Sequence, residues 1–276
     1  MQTLSEIGLV DTKKIIAVIN DKYSIDFSSM ALTSFKQRLI NIMNNNNILY
    51  VDNFISSIES NSQFFEKCLS NILVDTTEMF RDPSLWREIK DVYLPSLFRY
   101  NKHINIHIPD VSSGDEVYSL AIILKESGFW EKVKLLVSSI SQIRLNRLIE
   151  GAIYDIKKME ISVANSKRLT ETLDISKYYI VDNTRCIMDK SILEGVEFVK
   201  HSYVTDDSIQ GQNLILYRNR LIYYNSTLQD KVINKLSNSL AAGGYICFGA
   251  KENVSDAAFL GQLQCVNQIE HVYKKR

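Results

Sequence analysis

The side chains able to do chemistry fall in five short, ordered stretches: DTTEMFRD (75–82), PDVSSGDEVYSLA (109–121), SSIS (138–141), YRNRLIYYN (217–225) and AAGGYICFGAKEN (241–253). Arg81 carries a planar guanidinium suited to holding a carboxylate at fixed geometry. Taken alone, it reads equally as an exposed arginine ahead of a capped helix. Glu116 offers a carboxylate to a cation, or caps the first turn of a helix. Tyr223 is either an orienting group or a core residue whose hydroxyl finds a buried partner. Gly114 is the lone glycine of a strand–turn–helix, which is weak evidence by itself. His103 and His107 lie four apart, but a metal needs at least one more ligand. They read as solvent-facing imidazoles, and no metal site is expected.

The elements that must position these groups change character along the chain. Residues 1–73 read as helices only. Met30, Phe35, Leu39, Ile42 and Met43 recur at helical spacing after the cap candidate Ser29, and four asparagines from Asn44 break the pattern. From residue 74 onward strands alternate with helices. Asp82-Pro83 starts a helix with Leu85, Trp86, Ile89, Val92 and Tyr93 on its buried face. HINIHI alternates like a strand, PDVSSGDE turns, and VYSLAIILKESGF is helical. Strand candidates follow at Val133–Val137, Val196–Val199, Leu214–Leu216 and Tyr245–Phe248. A helix spans about 227–240 and ends at Gly243-Gly244. This pattern predicts an α/β fold with a mainly parallel sheet, helices on both faces, and a ligand crevice at the strand ends. Short β-prone pieces over about 178–198 (YYIV, RCIM, VEFV) read as a small antiparallel insertion.

Composition sets the outer bounds. The 276 residues hold 32 Lys+Arg against 32 Asp+Glu, which argues against a broad basic nucleic-acid surface. Lys274-Lys275-Arg276 reads as a solvated terminus. No apolar run approaches the roughly 20 residues of a membrane helix, so no membrane insertion is expected. The start, MQTLSEIGLVDTKK, shows no signal peptide. Cys68, Cys186, Cys247 and Cys265 form no C-x-x-C pair and fit thiols in a reducing compartment. The expectation is a cytoplasmic protein.

The order and spacing of the five motifs resemble the CheR-type chemotaxis-receptor methyltransferases. That family pattern runs T-x-F-F-R, S-T-G-E-E-P-Y-S, T-D-I-D, R-N-x-x-I-Y-F and G-G-x-L-x-x-G-x-x-E. The resemblance is detailed from about 75 to 253. It implies a small helical N-terminal domain (1–73) and an S-adenosylmethionine-binding, Rossmann-like α/β domain (74–276) carrying a small antiparallel β-subdomain (about 178–198). By this resemblance Thr77 and Arg81 belong to the first motif, with Arg81 touching the cofactor and helping to orient the target. Gly114 and Glu116 fall in the second, where a carboxylate attracts the sulfonium or ammonium of S-adenosylmethionine. Arg218, Asn219 and Tyr223 fall in the fourth, with Tyr223 facing methyl transfer. Ser139 occupies the ribose-binding place, and Ser202 and Tyr203 the adenine side.

The departures from the pattern lie on the adenosine side. Ser139 stands where the family carries an acid; a charge-assisted hydrogen bond of about 1.5–3 kcal/mol is lost there. Pro109-Asp110-Val111 replaces small residues of the first loop, Ser202-Tyr203 replaces Asn-Leu, and Met79 replaces a phenylalanine. The resemblance therefore implies an S-adenosylmethionine-dependent protein-glutamate O-methyltransferase acting on chemoreceptors, with a diverged adenosine site. The alternative is a catalytically inactive pseudoenzyme of the same fold that binds a signalling protein. The implied partner is the cytoplasmic domain of a chemoreceptor, or another signalling protein, met through the edge of the β-subdomain.

Overall fold

The computed structural model describes residues 4, 6–23, 25–28, 30–72, 78–252, 254 and 262–276. Four helices open it: α1 (Leu9–Tyr23), α2 (Leu32–Asn45), α3 (Val51–Ser60) and α4 (Ser62–Ile72). Each carries an apolar stripe, and the stripes meet in one core. Ile15, Ile19, Phe35, Leu39, Met43, Phe54, Ile58, Phe65 and Leu69 all contribute to it. Ser29, the expected cap of α2, lies outside the described residues.

Next come α5 (Pro83–Glu88) and α6 (Leu94–Phe98), joined by a wider π-helical turn over Ile89–Tyr93. One residue more per turn rotates the face that follows. Val92, expected on the buried face, is accordingly 52% exposed, while Tyr93 stays in the core. Pro83 starts α5 as the sequence predicts. Asp82 does not cap it: its backbone is left-handed (φ 56°) and its side chain makes no cap bond.

The main sheet holds β1 (Ile104–Ile108), β2 (Val133–Ser139), β6 (Glu197–Lys200), β7 (Gln212–Leu216), β8 (Leu240–Cys247), β9 (Leu263–Asn267) and β10 (Val272–Lys275). Their order is β6-β2-β1-β7-β8-β10-β9; the first five run parallel, and β10 lies antiparallel between β8 and β9. Helices α7 (Asp115–Glu126), α8 (Gln142–Ile149), α9 (Ile156–Leu169) and α10 (Ser226–Ser239) complete the α/β layers. Leu214, Leu216, Tyr245 and Cys247 pack into one core, and their neighbours Ile215, Tyr217, Ile246 and Phe248 into the core under α10. A sheet covered on both faces needs such unbroken apolar runs. The chain builds outward from β1 to β2 and β6, then returns to the other side of β1 with β7. The crevice at the ends of β1 and β7 is therefore the switch point where ligands bind in open α/β sheets.

Two local expectations are corrected. Gly243-Gly244 does not end α10. The helix stops at Ser239, and β8 runs through both glycines with a register shift against β7. The small sheet is β3-β5-β4, from β3 (Ile153–Asp155), β4 (Tyr179–Asp182) and β5 (Arg185–Met188). Its third strand comes from upstream of α9, whereas the VEFV piece joins the main sheet as β6 beside β2.

His107 is also not solvent-facing. It sits on the central strand with no exposure, because that strand is covered on both sides. A proton chain fixes its tautomer. Ser239 Oγ donates to Lys235 O, Tyr203 Oη donates to Ser239 Oγ, and His107 Nδ1 must then donate to Tyr203 Oη at 3.1 Å. Nε2 is left to accept from Ser138 Oγ at 2.9 Å. Burial, with a smaller contribution from His201, holds its pKa down to about 3. An unfolded histidine titrates near 6.5, so the native state binds fewer protons between these values. The linked stability is present above about pH 6.5 and is lost as pH falls toward 3, by about 1.4 kcal/mol per unit. Buried carboxylates with raised pKa act in the opposite sense, so the contribution is read as a difference. In urea titrations at pH 7.5 and 5.5, His107→Gln should lose about 1 kcal/mol less than the parent on acidification. Equal losses would show that His107 does not carry the acid sensitivity.

Candidate functional site

The loop leaving β7 carries Arg218 to Tyr223 and is held from two sides. On one side, the Arg218 guanidinium is 1% exposed. Its Nη1 donates to Glu116 Oε1 at 3.1 Å, its Nη2 donates to Asp82 Oδ2, and Trp86 lies 5.8 Å away, ring centroid to guanidinium carbon. Asp82 thus serves this ion cluster in place of a helix cap. Glu116 lies in the first turn of α7; burial raises its pKa, and Arg218 and then Arg220 oppose the rise. The Arg81 carbonyl accepts from Trp86 Nε1 at 2.8 Å and from Arg218 Nη1 at 3.4 Å. The Arg81 side chain stays half-exposed, with Nε 3.8 Å from Glu78.

On the other side, Glu252 is fully buried and accepts four backbone amides. Gly249 and the consecutive Asn219, Arg220 and Leu221 donate to it at 2.6, 2.9, 2.6 and 2.6 Å. Burial pushes its pKa up, and the amide bonds pull it back. Position 249 must be glycine, because a Cβ there would stand 2.6 Å from Asn219 Oδ1 and 2.9 Å from its backbone nitrogen. Asn219 takes the left-handed conformation (φ 57°) that turns the loop. Neither Glu252 nor Arg220 was expected as a site residue. The G-x-x-E spacing of FGAKE was the available signal for the first; nothing beyond its charge marked the second.

A cavity of about 60 Å³ lies at the strand ends, lined by Asp110, Ile140, Ser202, Arg220, Tyr223 and Tyr224 and roofed by Ile25, Phe27 and Met30. The connection between α1 and α2 is tied down there. Ala31 N donates to Tyr223 O at 2.9 Å, Met30 pairs with Tyr224 as an antiparallel bridge, and Arg38 lies 5.9 Å from the Tyr223 ring. Asp110 has a left-handed backbone (φ 51°) and bonds Ser202 and Tyr217 through its side chain, with Arg220 nearby. Burial raises its pKa, and the Ser202 bond and Arg220 oppose the rise.

The expected site residues are thus divided. Tyr223 and Ser202 line the cavity. Arg81, Glu116, Arg218 and Asn219 form the supporting cluster beside it. Gly114 faces protein: its φ is 86°, and a Cβ there would stand 2.1 Å from Leu148 Cδ2. Ser139 is fully buried, and its Oγ accepts from Ser141 N at 3.2 Å. Tyr203 does not line the cavity; it is fully buried in the core under α10, bonded to His107 and Ser239. Thr77 lies outside the described residues. No group of three potential metal ligands occurs among the described residues.

The matching family model is "CheR methyltransferase, SAM binding domain", over residues 75–268. "Putative methyltransferase Cher3" of Pseudomonas putida is 29% identical over 266 residues, covering 96% of this chain and 97% of that one. A "Chemotaxis protein methyltransferase" of Listeria innocua is 22% identical over 245 residues, covering 88% and 90%. Among solved structures, the N-methyltransferase NodS of Bradyrhizobium japonicum aligns at a TM-score of 0.38 and 11% identity, over 68% of this chain and 86% of that one. That likeness is too loose to bear on the site.

The ion cluster makes a direct prediction. Arg218→Met leaves Glu116 and Asp82 buried or half-buried beside each other without their cation. It should cost about 3–5 kcal/mol in urea unfolding, and adding Glu116→Gln should recover part of the loss. A cost near zero would mean that the loop is held by Glu252 alone.

Proposed function

This chain belongs to the CheR methyltransferase family, and we propose that it transfers a methyl group from S-adenosylmethionine to a glutamate carboxylate of a chemoreceptor cytoplasmic domain. The observation that carries this reading is the doubly held loop, which sets Tyr223 at the cavity wall. The family domain it matches is the S-adenosylmethionine-binding one.

The donor set fits that cofactor chemically. The cofactor is cationic at its sulfur and carries hydroxyl and ammonium donors, and the cavity wall holds the Asp110 carboxylate, whose Oδ2 is buried without a hydrogen-bond partner. Asn219 Nδ2 is a second buried polar atom without a partner, one residue from Arg218. Asp110, Ser202 and Tyr223 would hold the cofactor, which supplies an electrophilic methyl when bound. At about 60 Å³ the cavity is far below the roughly 300–1,000 Å³ of small-molecule sites, so binding requires Ile25, Phe27 and Met30 to lift from the strand ends. Their return would exclude water from the transfer.

A glutamate is already ionised at neutral pH, so no general base is needed. The protein's contribution is alignment. Arg81 suits the target carboxylate, since a planar guanidinium holds a carboxylate at fixed geometry. Tyr223 is fixed by its backbone bond to Ala31 and offers a hydroxyl at the cavity. For the partner we propose the outer face of the β3-β5-β4 sheet. Ile153, Ile187 and Ile180 lie in register across it, and Ile153 and Ile180 are 58% and 66% exposed. We place the helical domain at 1–73 and the methyltransferase domain at 74–276, in the cytoplasm. No helix among the described residues is long and apolar enough to cross a membrane.

The small cavity and Ser139 favour one second reading, a protein-binding module of this fold that transfers no methyl group. Calorimetry with S-adenosylhomocysteine, together with methyl transfer to receptor fragments, decides between them. The first reading expects binding, transfer, and a loss of about 10–100-fold in transfer for Arg81→Ala. Absence of binding at millimolar ligand would leave the module reading standing.

A further inference from the structure

Asp110 combines three unfavourable features in one residue. Its backbone sits at φ 51°, its carboxylate is drawn into the protein, and Oδ2 has no hydrogen-bond partner among the described residues. A left-handed non-glycine residue and an unsatisfied buried acceptor each cost stability, and both concentrate at functional sites. The other carboxylates of this region are compensated: Glu252 by four amides and Glu116 by Arg218. Asp110 is the one left with an open acceptor, and it lines the cavity.

The surroundings indicate what kind of donor would complete it. Arg220 already lies close enough to offset the negative charge. The partners Asp110 does have, Ser202 and Tyr217, are hydroxyls. A neutral hydroxyl donor therefore suits the open oxygen better than a second cation. Ile140 and Ser202 flank it, while the guanidinium of Arg218 is committed to Asp82 and Glu116 elsewhere.

We propose that Asp110 accepts hydrogen bonds from the ribose hydroxyls of the bound cofactor, and so serves as its ribose-binding residue. This rests on the cofactor reading above. It makes the first loop, rather than the end of β2, the carboxylate-bearing wall of the nucleoside site: Ser139 is sealed from the cavity and occupied by Ser141 N.

The test is calorimetry on the full chain with S-adenosylhomocysteine and with 5′-methylthioadenosine, which keeps adenine and ribose but lacks the amino-acid part. Asp110→Asn is isosteric, and asparagine tolerates the left-handed backbone. The variant should weaken both ligands by the same factor, about 10–100-fold, as expected for hydrogen bonds to a charged acceptor. On the unaltered protein, removing both ribose hydroxyls from methylthioadenosine should lower affinity to a similar extent, and the variant should bind that analogue as the parent does. This arm needs no substitution and holds even if the variant folds poorly. Unchanged or tighter binding by Asp110→Asn overturns the proposal, as does a loss confined to S-adenosylhomocysteine, which would assign Asp110 to the ammonium group. If the parent binds neither ligand, the cofactor reading itself fails, an outcome distinct from parent and variant binding alike.

Discussion

A guanidinium sealed from water between two carboxylates sets the geometry on which the site depends. Arg218 joins three places far apart in the chain: Asp82 at the start of α5, Glu116 in the first turn of α7, and the end of β7. A buried pair of this kind is a weak source of net stability, because desolvation offsets most of its Coulomb attraction. Its leverage lies in the cost of breaking it, since any displacement of the β7 loop strands two acids. Arg81 is anchored through its backbone carbonyl to Trp86 and Arg218, and its part-exposed side chain lies beside Glu78.

Glu252 completes this constraint from the opposite side. Three consecutive amides converging on one carboxylate leave residues 219–221 almost no conformational freedom, and Tyr223 follows two residues later. The N-terminal helices then meet the rest of the chain at two attachments of different strength. At one, Glu66 Oε1 accepts from the Gln142 amide at 2.7 Å at the start of α8, and buried Arg144 donates to Ser70 O at 2.9 Å. At the other, the α1–α2 connection rests on Tyr223 and Tyr224 through one backbone bond and one bridge. The first attachment involves a buried charge and is costly to break; the second exchanges readily for water. Opening of the cavity is therefore expected at Ile25, Phe27 and Met30, with α4 remaining docked on α8.

Much of this was legible in the sequence, for physical reasons that can be named. The isoleucines of HINIHI announced β1, since period-2 alternation has no other stable use, and Pro83 announced α5. What escaped depended on partners distant in the chain. Val92 was misplaced because a single π-helical turn shifts the phase, and composition does not reveal such a turn. The glycine pair 243–244 looked like a helix stop but lies within β8, where neighbouring β7 imposes the strand. Alternation in HINIHI suggests one wet face, but the core under α10 covers the His107 side and the other core covers the isoleucines. Motif order singled out the residues that follow β7, yet it could not tell that Arg218 and Glu116 spend their charges on each other. Tyr203 followed Ser202 in the motif, yet in the turn after β6 Ser202 lines the cavity while Tyr203 is buried against His107 and Ser239.

The distribution of charge ties these points together. The chain is neutral overall, with 32 cationic and 32 anionic side chains, yet the carboxylates of Asp110, Glu116 and Glu252 and the guanidiniums of Arg218 and Arg220 are among those gathered in the interior around one loop. Folding tolerates such groups only where each acid is matched. Glu116 is matched by a cation and Glu252 by amides, which are permanent partners supplied by the fold. Asp110 has Arg220 nearby and bonds the Ser202 and Tyr217 hydroxyls, while its Oδ2 has no hydrogen-bond partner among the described residues. A fold that satisfies its buried acids so fully elsewhere has no structural use for this exception. An open acceptor on a left-handed backbone at a switch-point cavity combines the incomplete bonding and the strain that concentrate at functional sites.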